Sequence, residues 1–304
     1  MKARGLAIGV ALSTALAAPG LAKDDEPVYA ASSPWTLDYD TDSCALRRMF
    51  GDGDDSIYLE LIRFGPGPKL QALVASNRMK PRNPGKFKYR FDPAEAEWND
   101  VDWAPTIKTD NGFAGVIFMP SLIRASEDRN PTQVTERRPD LSSLDTRDAE
   151  REFAAQTERL AIRGAFRERI VLRLGSMAQP IAALNECIAE LMTHWDIDLE
   201  AHKTLTRMAT PLDFEKAARM VSYPPKMAEK HMPGIVNVRL SIDETGRVSR
   251  CRVQMPLSDP EFEASSCADI QHAFEFEPAL DKDGKPIASF WTRAVVFQSA
   301  LVGR

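Results

Sequence analysis

The stretch Gly234-Ile-Val-Asn-Val-Arg-Leu-Ser-Ile-Asp-Glu-Thr-Gly246-Arg-Val248 decides how the C-terminal part of the chain folds. Val236, Val238, Leu240 and Ile242 fall on one face and Asn237, Arg239 and Ser241 on the other, the alternation of a half-buried strand. Asp243-Glu-Thr-Gly246 turns the chain, with Gly246 supplying the backbone freedom of a tight hairpin, and a return strand runs from about Arg247 to Met255. Asp259-Pro260 reads as an N-cap and first-turn proline of a helix whose apolar stripe is Phe262, Cys267, Ile270 and Phe274. Phe276-Glu-Pro278-Ala279 makes a loop, Gly284 a turn, and Ala288 to Gln298 a last strand. Trp291, Arg293, Val295 and Phe297 share one face of that strand, and Phe290, Thr292, Ala294 and Val296 the other. Either set is free to pack on the helix.

In order and spacing these pieces resemble the TonB C-terminal domain family over residues 223–297. The residues that carry the resemblance are Tyr223-Pro224, Gly234-x-Val236-x-Val238, Ile242-Asp243-x-x-Gly246-x-Val248, Val253, Phe276-x-Pro278-Ala279, Gly284-x-Pro286 and a strand ending in Val296-Phe297. That family forms the periplasmic end of proteins that hand inner-membrane energy to outer-membrane receptors, and an extended receptor segment lies beside its final strand. The resemblance therefore implies a peptide-binding edge at Ser289, Trp291, Arg293, Val295 and Phe297. As partner it implies a TonB-dependent receptor or another envelope protein. A full transducer also carries a His in its membrane helix and a Pro-rich spacer. Here no His precedes His194, and the 21 prolines are scattered from Pro19 to Pro286 without Pro-Lys or Pro-Glu repeats. The resemblance thus supports docking and not force transmission.

Lys2 and Arg4 precede an Ala-rich apolar run from Leu6 to Ala18, and Gly20-Leu21-Ala22 offers small residues where a signal peptidase reads. The run falls short of the ~20 residues that a spanning helix needs. Residues 1–22 are accordingly expected to be a cleaved signal peptide, with the product in the periplasm of a Gram-negative bacterium and no stable membrane span. An uncleaved terminus would instead give an inner-membrane-anchored energy transducer. With 43% hydrophobic and 27% charged residues and a net charge of −5, the surface shows no bias toward nucleic acid. Cys44, Cys187, Cys251 and Cys267 form an even set, which in an exported chain predicts disulfides. Cys251 has the strand parity of Val253, and Cys267 shares the helix stripe with Ile270, so both thiols point between sheet and helix. That pairs Cys251 with Cys267 and leaves Cys44 for Cys187.

The whole chain reads as α+β: a sheet-rich domain with a long amphipathic helix over residues 23–209, then the small TonB-like domain over 210–304, a three-stranded antiparallel sheet packed on helices. Strands are expected at Trp35–Tyr39, Ala45–Phe50, Ile57–Phe64, Leu70–Ala75, Gly112–Met119 and Ile170–Leu174. A charged helix or linker is expected near residues 139–165, with Arg147–Leu160 an exposed helix or mobile connection. Pro180 opens a helix whose buried face is Ile181, Leu184, Cys187, Ile188, Leu191, Met192 and Trp195. Asp38-x-Asp40-x-Asp42 starts like a calcium loop, but Ser43 and Met49 stand where Gly and a bidentate Glu are required, so it reads as a solvated strand end. Arg239, Arg247, Arg250 and Arg252, interrupted by Asp243 and Glu244, read as a salt-laced solvent face. His194, His202, His231 and His272 lack the spacing of a metal site, and no nucleophile motif occurs. No catalytic residue, metal or cofactor is therefore expected. Two functions remain: a peptide-docking module, or an envelope enzyme or ligand-binding protein with its site in residues 33–209 and the C-terminal unit used for attachment.

Overall fold

The computed structural model describes residues 27–77, 80–81, 86–108, 112–123, 147–255 and 260–298; the expected signal segment and the Asp259 cap lie outside them. The first part of the chain contains the strands β1 (Val28–Tyr29), β2 (Thr36–Tyr39), β3 (Cys44–Phe50), β4 (Ile57–Arg63), β5 (Gln71–Ser76), β6 (Phe87–Asp92), β7 (Asn99–Val101), β8 (Thr106–Lys108) and β9 (Ala114–Phe118). Helix α1 (Arg147–Gln156), β10 (Arg159–Arg163), β11 (Ile170–Arg173), α2 (Ala178–His194) and α3 (Leu199–Lys203) follow. The second part holds β12 (Thr210–Pro211), α4 (Phe214–Met220), α5 (Pro225–Glu229), β13 (Gly234–Ile242), β14 (Val248–Met255) and α6 (Pro260–Ala273). Short β15 (Phe276–Glu277), β16 (Ala279–Leu280) and β17 (Pro286–Ile287) lead to the final strand β18 (Ser289–Phe297).

Three sheets stack into layers. A five-stranded sheet, ordered β1-β11-β10-β6-β7, lies against a six-stranded antiparallel sheet, ordered β2-β3-β4-β5-β9-β8. Phe87, Tyr89 and Phe91 from the first and Leu46, Leu59, Leu61 and Val74 from the second fill the core between them. Each such side chain, fully buried, contributes ~1.5–3 kcal/mol. Helix α2 closes one end of this sandwich through the face that its 3.6-residue period marks out: Ile181, Leu184, Cys187, Ile188, Leu191 and Met192 are buried. The disulfide Cys44–Cys187, with Cα atoms 6.3 Å apart, ties that helix to β3.

The other face of the six-stranded sheet is not solvated. Leu73, Ala75 and Ile117 pack on Ile235 of the third sheet, ordered β14-β13-β18, whose far side carries α6. Val236, Val238, Leu240 and Ile242 meet Phe262 and Ile270 there, and Cys251–Cys267 staples β14 to α6 with Cα atoms 5.5 Å apart. Both disulfides join the expected cysteines. Gly246 sits at φ +84°, and a Cβ there would stand 1.9 Å from the Phe276 carbonyl oxygen, so the hairpin tip accepts no other residue without displacement.

Several expectations change. β13 reads from sequence as half-buried, yet Asn237 and Arg239, 4% and 8% exposed, are buried as well, because the six-stranded sheet covers their face. The charged stretch 147–160 is a helix over Arg147–Gln156 as expected, exposed on its outer face, but its inner face is not: Phe153 and Ala154 of α1 are in the core, and the Glu150 carboxylate meets the buried Arg63 guanidinium at 2.8 Å. Leu160 belongs to β10, an inner strand of the five-stranded sheet. Its flanking arginines hid that strand, since they point outward while Leu160 and Ile162 point in.

Candidate functional site

β13 is the central strand of the small sheet, and β18 pairs with it in continuous antiparallel register from Ile242↔Ser289 to Gly234↔Phe297. The opposite edge of β18 pairs with no strand among the described residues. Trp291 and Val295 turn toward the α6 side, where Trp291 lies 5.6 Å from both Phe274 and Phe276. Phe290 and Ala294 turn toward the first domain. Which face packs on the helix is thereby decided.

The five edge positions do not play one role. Ser289 and Phe297 are buried anchors at the ends of the strand. Phe297 stacks with Tyr223 at 5.6 Å, and Tyr223 stacks with Phe262 at 5.8 Å. Ser289 is bonded to His202 of α3 at 3.0 Å. Arg293 is exposed, with its guanidinium 4.9 Å from the Phe214 ring. Trp291 and Val295 are half-buried. The structure adds Thr292, Ala294 and Val296, with Val296 41% exposed.

Beside that edge runs a groove of about 400 Å³ between the three-stranded and six-stranded sheets. Its walls are Trp291, Thr292 and Val296 on one side and Phe64, Pro66 and Met119 on the other. Gly65 brings the loop after β4 so close that a Cβ there would lie 3.0 Å from the Thr292 hydroxyl. Gln71, Asn237 and Gln254 also line the groove, and the Asn237 amide donates to Gln71 Oε1 at 2.9 Å. Among the described residues, Gln71 Nε2 and Gln254 Oε1 are buried without a partner, one a donor and one an acceptor. The sequence offers no signal for these wall residues, which segments far apart in the chain bring together.

Asp42, just before β3, ties the six-stranded sheet to β13 and β14. Its carboxylate accepts from Arg239 Nη2 at 3.0 Å and Arg252 Nε at 2.5 Å, and its carbonyl accepts from Gln254 Nε2 at 2.9 Å. The expected solvated strand end is thus 4% exposed at Asp42, and two arginines of the expected solvent face are its partners. Burial pushes the Arg239 guanidinium below its ordinary value, and the hydrogen bond to Asp42 opposes that shift. Arg239 also lies 4.3 Å from the Trp195 ring.

His202 supports the start of β18. Its Nδ1 is 2.8 Å from the Asp198 carbonyl, which can only accept, so Nδ1 carries the proton and Nε2 accepts from the Ser289 hydroxyl. Burial lowers the imidazole below its usual 6.5, and the Asp198 bond works the other way. His194, His231 and His272 are exposed and lie on separate elements. Among the described residues, no three His, Cys, Asp or Glu side chains converge as metal ligands, and no helix is long and apolar enough to cross a membrane.

No curated protein matches the chain. Residues 219–298, which hold the small sheet, α6 and the β18 edge, match the family described as the Gram-negative bacterial TonB protein C-terminal, which ties this part of the chain to TonB-type protein interactions of the cell envelope.

Proposed function

We propose that the chain is a periplasmic binding protein, not an enzyme, that captures an extended segment of an outer-membrane receptor or another envelope protein along the outer edge of β18. The observation that carries this reading is the edge itself: nine residues in register with β13 on one side and bordered by the inter-domain groove on the other. Backbone hydrogen bonds would supply affinity, and alternate side chains of the incoming segment would meet Trp291 and Arg293 on one side and Thr292 and Val296 on the other. The disulfide-stapled first domain adds a wall that a bare three-stranded sheet lacks.

The test exploits strand geometry. Successive residues of β18 direct their N–H groups alternately toward β13 and toward the open edge. Of Val295→Pro and Val296→Pro, the variant that loses an inward N–H should destabilise the sheet, and the one that loses an outward N–H should stay folded but fail to capture receptor peptides. Circular dichroism sorts the two, and peptide pull-down measures capture. Undiminished capture by the folded variant would refute strand addition.

A further inference from the structure

The five-stranded sheet buries one face in the core, and its other face concentrates positive charge. Lys88 and Arg90 of β6, Arg159 and Arg163 of β10, Arg173 of β11 and the adjoining Arg169 alternate with the core residues of their strands. Register sets Lys88 opposite Arg163 and Arg159 opposite Arg173, like charges facing directly across strands. Asp92, in register opposite Arg159, takes Arg90 at 2.5 Å, and Asp100 takes Lys88 at 2.7 Å. Arg159, Arg163 and Arg173 are exposed and have no acidic partner among the described residues. In the middle stands Trp98, with the guanidinium carbons of Arg90, Arg163 and Arg169 at 4.9, 4.3 and 4.9 Å from its ring centre. Cation–π attraction holds these side chains together although they repel one another. Ala161 and Val171, between these arginines along their strands, are buried.

We propose that this face docks on the phosphate-bearing headgroups of an anionic lipid bilayer. A chain of net charge −5 that gathers six cations on one sheet face has an electrostatic footprint opposite to its average. The charges spread over three neighbouring strands, β6, β10 and β11, roughly 10 Å from the first to the third, and so match an anionic area better than a single row of acidic side chains. The neighbouring hollow of about 410 Å³ is lined by Asp100 and Asp102 as well as Lys86, Lys88 and Arg163, so it is mixed in charge, whereas Arg159, Arg163 and Arg173 keep the flat face net positive. Guanidinium groups bind phosphate oxygens in pairs, and an indole suits the headgroup level. The face is the outermost layer on the side away from α6, so the membrane would leave the β18 groove free for a polypeptide.

The chain beginning at Lys23, which contains every described element, would be sedimented with vesicles of phosphatidylglycerol and phosphatidylcholine and with vesicles of phosphatidylcholine alone. Binding to the first should exceed binding to the second and collapse as salt rises toward about 0.5 M. At ~1 kcal/mol per arginine near such a surface, each removal costs about five-fold, and Arg159→Gln/Arg163→Gln/Arg173→Gln on the order of a hundred-fold. The corresponding triple lysine variant should retain most of the binding. Should the glutamine triple variant lose its fold by circular dichroism, the single Arg173→Gln variant carries the test, because Arg173 is exposed and makes no contact with Trp98. Equal binding to both vesicles, or no loss in the glutamine variants, overturns the proposal. Release from vesicles by millimolar inorganic phosphate, or tighter binding to polyglutamate than to vesicles, overturns it in favour of a discrete anion site or an acidic polypeptide.

Discussion

Replacing Asp42 by Ala tests the inter-domain clasp, and the structure sets the size of the effect. Arg239 is 8% exposed, and its Nε is already without a partner, so removing the carboxylate strands a buried cation at a cost of ~3 kcal/mol. Arg252 has 51% of its side chain exposed, and water can replace its partner for less than ~1 kcal/mol. The Gln254 bond goes to the backbone carbonyl and survives the substitution. The sum, ~3–4 kcal/mol, corresponds to a fall in Tm of roughly 6–16 °C for a chain of this size. Scanning calorimetry should show the fall, with the single transition splitting in two if the domains part before they unfold. The double variant Asp42→Ala/Arg239→Met should regain most of the loss, since it removes the stranded charge along with its partner. An Asp42→Ala protein within ~0.5 kcal/mol of wild type, or a double variant no more stable than the single one, would refute the reasoning.

Other outcomes follow from the same coordinates. Glu150→Ala leaves the fully buried Arg63 without its carboxylate and should cost ~3–5 kcal/mol in urea unfolding, whereas an exposed helix would lose almost nothing. Burial holds the His202 pKa below 6.5 in the fold, so the unfolded chain takes up the proton first as pH falls. That part of the stability is present above about pH 6.5 and is lost as pH drops through the folded value; urea titrations at about pH 7.5 and about pH 5 should show the loss in wild type and a smaller one in His202→Gln. Gly246→Ala combines a φ of +84° with a Cβ driven into the Phe276 carbonyl, and should destabilise the small domain by at least ~2 kcal/mol by thermal melting. Removing Cys44–Cys187, which spans 143 residues, should cost ~5 kcal/mol against ~3 kcal/mol for the 16-residue Cys251–Cys267 link.

The C-terminal unit was legible before any coordinates because its signals are local. A two-residue alternation along Gly234–Ile242, a turn that only Gly246 fits, and a helix stripe holding Cys267 each depend on neighbours within a few residues. The same held for α2, whose buried face matches its period residue by residue. β10 was misread for the converse reason. Its apolar positions are short and flanked by arginines, and only its two neighbouring strands show that Leu160 and Ile162 face a core. Of the candidate site, the edge strand was readable and its surroundings were not.

Local chemistry along the chain therefore settled the elements of the C-terminal unit, the cysteine partners and the likeness of residues 219–298 to a TonB-type domain. The apposition of sheets was a matter for tertiary structure alone. Asn237, Arg239 and Gln254 look like solvent-facing residues, since a polar side chain carries the same pattern whether water or a buried Asp42 and Gln71 satisfies it. Partners 166 to 212 residues apart leave no periodicity to read, and it is their hydrogen bonds that place β18 beside a groove.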